Sequence, residues 1–169
     1  MEMDRSRVLV IAYGNAVRGD DGLAWRAAEQ VKKLFPSADV EVPDVKVLER
    51  HQLVPELAEE LSRSLAVIFV DAAAAQPGKT HPGEIQVAEI TDQEVNSASE
   101  PFHHQFSPMS LVALGKELYQ SRPRAFVASL VGEDFAPGEN LSPVVERAMP
   151  EFVRRIEKLI RDLLPPGEN

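Results

Sequence analysis

The sequence predicts an α/β fold: a single-domain three-layer sandwich in which helices cover both faces of a mostly parallel twisted sheet. Three observations carry this. Short runs of consecutive apolar residues recur along the chain, as strands buried on both faces require. Between them apolar residues return at three- and four-residue steps, the helical period. The links are short and hold turn residues, which gives the βα rhythm of such sandwiches. A length of 169 residues suits one domain, 1–169, and 44 % apolar with 27 % charged residues is enough to bury a core.

Val8 to Ala12 (V-L-V-I-A), bounded by Gly14, reads as the first buried strand. Leu23, Ala24, Ala27, Ala28, Val31 and Leu34 then predict a helix, with Asp20 and Asp21 in its first turn and Phe35-Pro36 closing it. Val42 to Leu48 reads as a second strand, and Leu53, Leu57, Leu61 and Leu65, with Pro55 near the first helical position, as a short helix. Leu65 to Val70 (L-A-V-I-F-V) is a third buried strand, ending in Asp71. Pro77 to Pro82 is turn-rich, and Gly83 to Ala88 alternates as a half-exposed edge strand does. Thr91 to Gln105 has no clear period and reads mostly as loop. Ser107-Pro108, a cap followed by proline, opens a helix with Leu111, Leu114, Gly115 and Leu118 on one face. Ala125 to Val131 is the last central strand. Ser142-Pro143 repeats the cap ahead of a long apolar stripe that Pro150 should kink. Val8 to Ala12, Val45 to Leu48, Leu65 to Val70 and Ala125 to Val131 are the expected inner strands.

Composition narrows the function. The net charge of −9 has the wrong sign for a surface that neutralises phosphates, so nucleic acid is not an expected partner. No apolar run approaches a membrane span, and with no cysteine a cytoplasmic location is expected. The missing thiols also remove zinc-thiolate sites, iron–sulfur clusters and a cysteine nucleophile, leaving oxygen and imidazole to hold any metal. Pro77-Gly78-Lys79-Thr80 has the tail of a phosphate-binding loop, but Ala73 stands where that motif needs glycine. The loop Gly14 to Gly22 follows the first strand without the dinucleotide glycine spacing, and its two aspartates suit a cation better than an anion.

Asp20, Asp21, Asp71, His103 and His104 each have an ordinary use as a cap or surface residue. Their placement together says more. In open parallel sheets ligands bind at the carboxyl ends of the strands, where the loop after the first strand and Asp71 after the third can meet. The two histidines, just before the next helix, can reach the same rim, and carboxylates with an imidazole suit a divalent ion such as nickel or zinc.

These residues sit in blocks with a familiar order. V-L-V-I-A-Y-G-N-A-V-R-G-D-D-G (Val8 to Gly22), I-F-V-D-A (Ile68 to Ala72), P-G-E-I (Pro82 to Ile85), H-Q (His104, Gln105) and N-L-S-P-V-V (Asn140 to Val145) resemble the nickel–iron hydrogenase maturation endopeptidases. The likeness runs over about residues 8 to 160. It implies an enzyme that removes a C-terminal extension from the hydrogenase large-subunit precursor, its partner, after nickel insertion. It further implies that Asp21, Asp71 and His104 are both metal-binding and catalytic, with His103 the alternative if the register slips by one. The nickel is then carried by the substrate, no organic cofactor is needed, and neither nucleic acid nor membrane is a partner; a monomer is expected. The chain has no G-x-S-x-G elbow and no H-E-x-x-H helix, which leaves metal-assisted hydrolysis as the route.

One segment departs from the commonest family pattern. Where most members carry a glycine-rich D-G-G-T-type stretch, this chain reads Glu49-Arg50-His51-Gln52-Leu53-Val54-Pro55-Glu56-Leu57. The H-Q-L-x-P-E-L form resembles the subgroup that processes soluble, bidirectional, NAD-reducing hydrogenases, and it adds His51 and Gln52, with Asn15, as expected substrate-recognition residues. A non-catalytic nickel-binding chaperone for the same precursor, or an unrelated metal-dependent hydrolase on a similar sheet, would use the same ligands.

Overall fold

Successive residues of each central strand feed two separate apolar cores, and this decides the architecture. A computed structural model describes residues 6–37, 43–97 and 106–166. The elements are β1 (Ser6–Tyr13), α1 (Leu23–Leu34), β2 (Val45–Arg50), α2 (Leu57–Ser62), β3 (Ser64–Ala74), β4 (Ile85–Glu89), α3 (Asp92–Ser97), α4 (Pro108–Tyr119), β5 (Arg124–Gly132) and α5 (Pro143–Leu163). The strands form one sheet in the order β2-β1-β3-β5-β4, parallel except for β4. On one face Val8, Val10, Ile68, Val70 and Ala128 pack under Ala24, Ala27 and Val31 of α1 and Phe152, Ile156 and Ile160 of α5. On the other, Leu9, Ile11, Val67 and Phe69 pack under Leu57 and Leu61 of α2, Leu111 of α4 and Val95 of α3. The expected three-layer α/β sandwich is therefore present, with β1, β3 and β5 as its interior strands.

Several details differ from the sequence expectation. β2 is an edge strand, not an inner one, and it carries charge on both faces: Lys46 pairs with Glu60 of α2 and Glu49 with Lys32 of α1. Val42 lies outside the described residues. α2 ends at Ser62, so Leu65 falls in β3 and is 55 % exposed, while Leu53 precedes the helix and packs into the second core. β3 runs on through Asp71 to Ala74, so Asp71 lies within a strand, paired with Ser129. Part of the stretch read as loop is α3: Thr91 and Glu94 form a capping box, the Thr91 amide donating to the Glu94 carboxylate and the Glu94 amide to the Thr91 hydroxyl. Leu118 is 60 % exposed on α4. α5 continues through Pro150 as one helix, with the proline exposed. Residues 77–80 form a surface turn closed by the Gln76 amide on Thr80 Oγ1 (2.8 Å) ahead of a strand, so no phosphate loop is present there.

The two leucines that share one sequence stripe should separate in a stability experiment. Leu61→Ala, at a fully buried site, is expected to cost about 2–5 kcal/mol. Leu65→Lys should stay within about 0.5 kcal/mol, both measured by urea unfolding.

Candidate functional site

The strand order reverses between β1 and β3, and a cleft opens at the carboxyl end of this pair, where ligands bind in sheets of this kind. Its volume is about 380 Å³. Tyr13, Gly14 and Asp21 line it from β1 and the following loop, Asp71 from β3, residues 51–55 from the end of β2, and Phe106 from the approach to α4.

Strand register builds the floor. Leu48, Ile11, Phe69 and Val127 lie side by side across four strands as an apolar row facing α2 and α4. Two residues further along, the same positions are Arg50, Tyr13, Asp71 and Ser129, and Gln86 of β4 extends the line beyond Ser129. The chemistry of the face thus changes from apolar to polar within one pleat. Tyr13 and Asp71, one step past the Ala12–Val70 pair on neighbouring strands, both line the cleft. Burial pushes the Asp71 carboxyl up to about 6; the Tyr13 hydroxyl and the Ala72 amide pull it back, and the nearby Asp21 charge adds to the rise. Burial and the same two carboxylates raise the Tyr13 phenol well above its ordinary value, so it stays a proton donor.

Asp21 is set by the loop rather than by a strand. Its Oδ2 accepts from the Asn15 amide at 2.7 Å. Gly14, at φ +146°, lies so close that a Cβ there would collide with the Asp21 carbonyl oxygen. The Gly14 amide donates to the Arg50 carbonyl (3.1 Å), and its own carbonyl accepts from Trp25 Nε1 (3.0 Å), which ties the loop to β2 and α1. Asn15 Oδ1 accepts from the Val17 amide, so Asn15 organises this turn with both backbone and side chain.

The adjacent Asp20 points the other way. It is fully buried and caps nothing in its own helix turn, contrary to the simple reading of the pair. Its carboxylate accepts from the amides of Glu133 (2.8 Å), Asp134 (2.9 Å) and Ser142 (2.7 Å) and from the Ser142 hydroxyl (2.8 Å). Burial alone would raise this carboxyl; the four donors outweigh it and hold it below its ordinary value. Ser142 therefore serves Asp20 instead of capping α5 with its side chain. Gly132 leaves room for this contact, since a Cβ there would meet the Phe135 ring at 2.6 Å and the Asp20 Cβ at 2.9 Å.

Of the expected site residues, the cleft brings together Asp21, Asp71, His51 and Gln52, and Asn15 holds Asp21 from behind. His103, His104 and Gln105 lie outside the described residues. Among the described residues no group of three His, Cys, Asp or Glu side chains converges as a metal site. Tyr13 escaped the sequence reading; its signal was its place two residues after Ile11, on the face that carries Asp71.

No protein-family profile matches the chain, and no curated protein matches it in sequence. Solved structures do match in fold. The hydrogenase maturating endopeptidase HybD from E. coli superposes with a TM-score of 0.69 at 18 % identity, over 92 % of this chain and 93 % of that one. The [NiFe] hydrogenase maturation protease HybD from Thermococcus kodakarensis gives 0.70 at 22 %, over 91 % and 99 %. The protease HycI from the same archaeon gives 0.68 at 20 %, over 94 % and 95 %. At these identities the likeness establishes the shared fold.

Two predictions separate the neighbouring carboxylates. Asp20→Asn turns an NH₂ toward backbone donors and should cost about 2–4 kcal/mol, whereas Asp21→Asn keeps an acceptor for the Asn15 amide and should cost under about 1 kcal/mol. Chemical denaturation of both variants checks this. Asp71 has the opposite sign: between its ordinary 3.8 and about 6 the native state holds more proton than the unfolded chain, so stability falls as pH rises through that window. Asp71→Asn should therefore be more stable than the parent at pH 8, by on the order of 1–3 kcal/mol, with the gain gone below about pH 4. Melting curves at the two pH values measure it.

Proposed function

We propose that this protein is an endopeptidase of nickel–iron hydrogenase maturation, which removes the C-terminal extension of a large-subunit precursor carrying nickel. The observation that supports it most is the pairing of Asp21 and Asp71 in one cleft at the switch point of the sheet, in a fold shared with hydrogenase maturation proteases. The donor chemistry is compatible: two carboxylates offer oxygen ligands, the chain has no thiolate to compete for a resident metal, and His104 lies two residues before Phe106 of the cleft wall. A nickel ion brought by the substrate would supply Lewis acidity at the scissile bond.

The chain's own groups then divide the work. Asp21, anchored by the Asn15 amide, offers its second carboxylate oxygen to the substrate side. Asp71, with its carboxyl near 6, is poised between proton acceptor and donor around neutral pH. His104 completes the ligand set, with His103 the alternative. His51 and Gln52 form the wall that meets the precursor, and the H-Q-L-x-P-E-L form of that wall favours a precursor of the soluble, NAD-reducing type. Cytoplasmic action on a folded precursor accords with the absence, among the described residues, of any helix long and apolar enough to cross a membrane.

Purified nickel-loaded precursor should lose a C-terminal peptide on incubation with the protein, read by mass spectrometry, and nickel-free precursor should remain intact. Asp21→Asn should slow processing on the order of 100-fold. Full-rate cleavage of nickel-free precursor would overturn the dependence on substrate metal; binding of the loaded precursor without any mass change would favour a nickel-binding chaperone.

A further inference from the structure

We propose that Trp25 is a positioning residue of the site: its indole N–H locks the Gly14–Asn15 peptide in the orientation that aims the Asn15 amide at Asp21. The inference rests on the endopeptidase reading and extends it to a residue outside both the ligand set and the cleft wall.

One planar unit carries both contacts. Trp25 Nε1 donates to the Gly14 carbonyl at 3.0 Å, and the amide of the same peptide, that of Asn15, donates to Asp21 Oδ2 at 2.7 Å. In a trans peptide the carbonyl and the N–H point in opposite directions from one rigid plane, so a donor that fixes the first also aims the second. The planes on either side have their own anchors: the Gly14 amide donates to the Arg50 carbonyl, and the Asn15 carbonyl accepts from the Arg18 amide. Between them the Gly14–Asn15 plane would be free to turn at Gly14, which has no Cβ to restrain it. The Trp25 indole opposes that turn. It comes from the third residue of α1, and since helical side chains lean toward the N-terminus it reaches back over the loop. Gly22 lets the loop lie this close, because a Cβ there would sit 3.2 Å from the Ala16 carbonyl oxygen. Donation to the carbonyl also polarises the peptide and strengthens the bond made by its N–H. Groups that orient a metal-binding side chain by hydrogen bonding commonly matter about 10- to 100-fold to the sites they support.

Trp25→Phe in the full chain tests this. Gly-Asn occurs once in the sequence, so carbonyl-¹³C glycine combined with ¹⁵N asparagine leaves a single NMR cross-peak that reports both ends of the Gly14–Asn15 peptide. The expected result is a moved Gly14 carbonyl signal, an Asn15 amide proton moved to higher field and, on nickel-loaded precursor, kcat lowered about 10-fold with KM within about 2-fold. A Gly14 signal that stays in place overturns the contact, and an Asn15 amide that stays in place while the carbonyl moves overturns its transmission to Asp21. An undiminished kcat overturns the positioning role even if both signals move. Trp25 is the single tryptophan, so it can also be replaced by its benzothienyl analogue, in which sulfur stands where the indole N–H was and the ring keeps its shape. The same changes are expected there; full activity with that ring would assign the Phe effect to packing and overturn the proposal. Wild-type protein that leaves the loaded precursor uncut overturns the endopeptidase reading instead, and the cross-peak, which needs no substrate, still decides the tie between Trp25 and Asp21.

Discussion

A carboxylate with no access to water must have its charge met by donors from the protein, and Asp20 is the residue on which the rim of this molecule depends. Four hydrogen bonds from residues 133, 134 and 142 converge on it, and in gathering them it fastens the loop before α1 to the loop between β5 and α5. Backbone contacts repeat the connection: the Asp20 amide donates to the Asp134 carbonyl, the Gly19 amide to the Gly138 carbonyl and the Gly138 amide to the Val17 carbonyl. The chain leaves this knot and immediately presents Asp21 to the cleft. A flexible loop is thereby converted into a fixed support, and the entropy of ordering the site is paid at folding and not at binding.

Asp20 and Asp71 illustrate how one residue type does opposite work. Asp20 is stabilising because its donors outnumber the cost of burial. Asp71, with a phenol and one amide, falls short of compensation, and its carboxyl is held high. Strain of this kind concentrates where groups must change partners during a reaction. The apolar floor of Ile11, Phe69 and Val127 lies just beneath Asp71.

The central strands and the helices of both layers were readable from the sequence because their apolar residues follow a single period. β2 misled because strand pattern says that a segment pairs, not on how many sides; the Lys46 and Glu49 that mark its edge are ordinary for a strand seen alone. α3 was hidden by polarity, although Thr91 and Glu94 stand at capping-box spacing. At the site, Asp21 and Asp71 could be placed together because topology alone brings strand ends to one rim. The division between Asp20 and Asp21 could not be read, since the partners of Asp20 lie more than a hundred residues away in sequence. Tyr13 was likewise concealed, as the last residue of an apolar run whose hydroxyl acquires a meaning only when β3 lies alongside.

Residues 51–55 enter the cleft from the outer edge of the sheet, between a peripheral strand and a short helix, while Asp21 and Asp71 are rooted in the knot and the central strands. The segment proposed to meet the precursor is thus carried by other elements than the proposed reactive pair. For an engineer that segment is the natural cassette for grafting: a replacement there must keep the packing of Leu53 and Val54 on the second core and the start of α2.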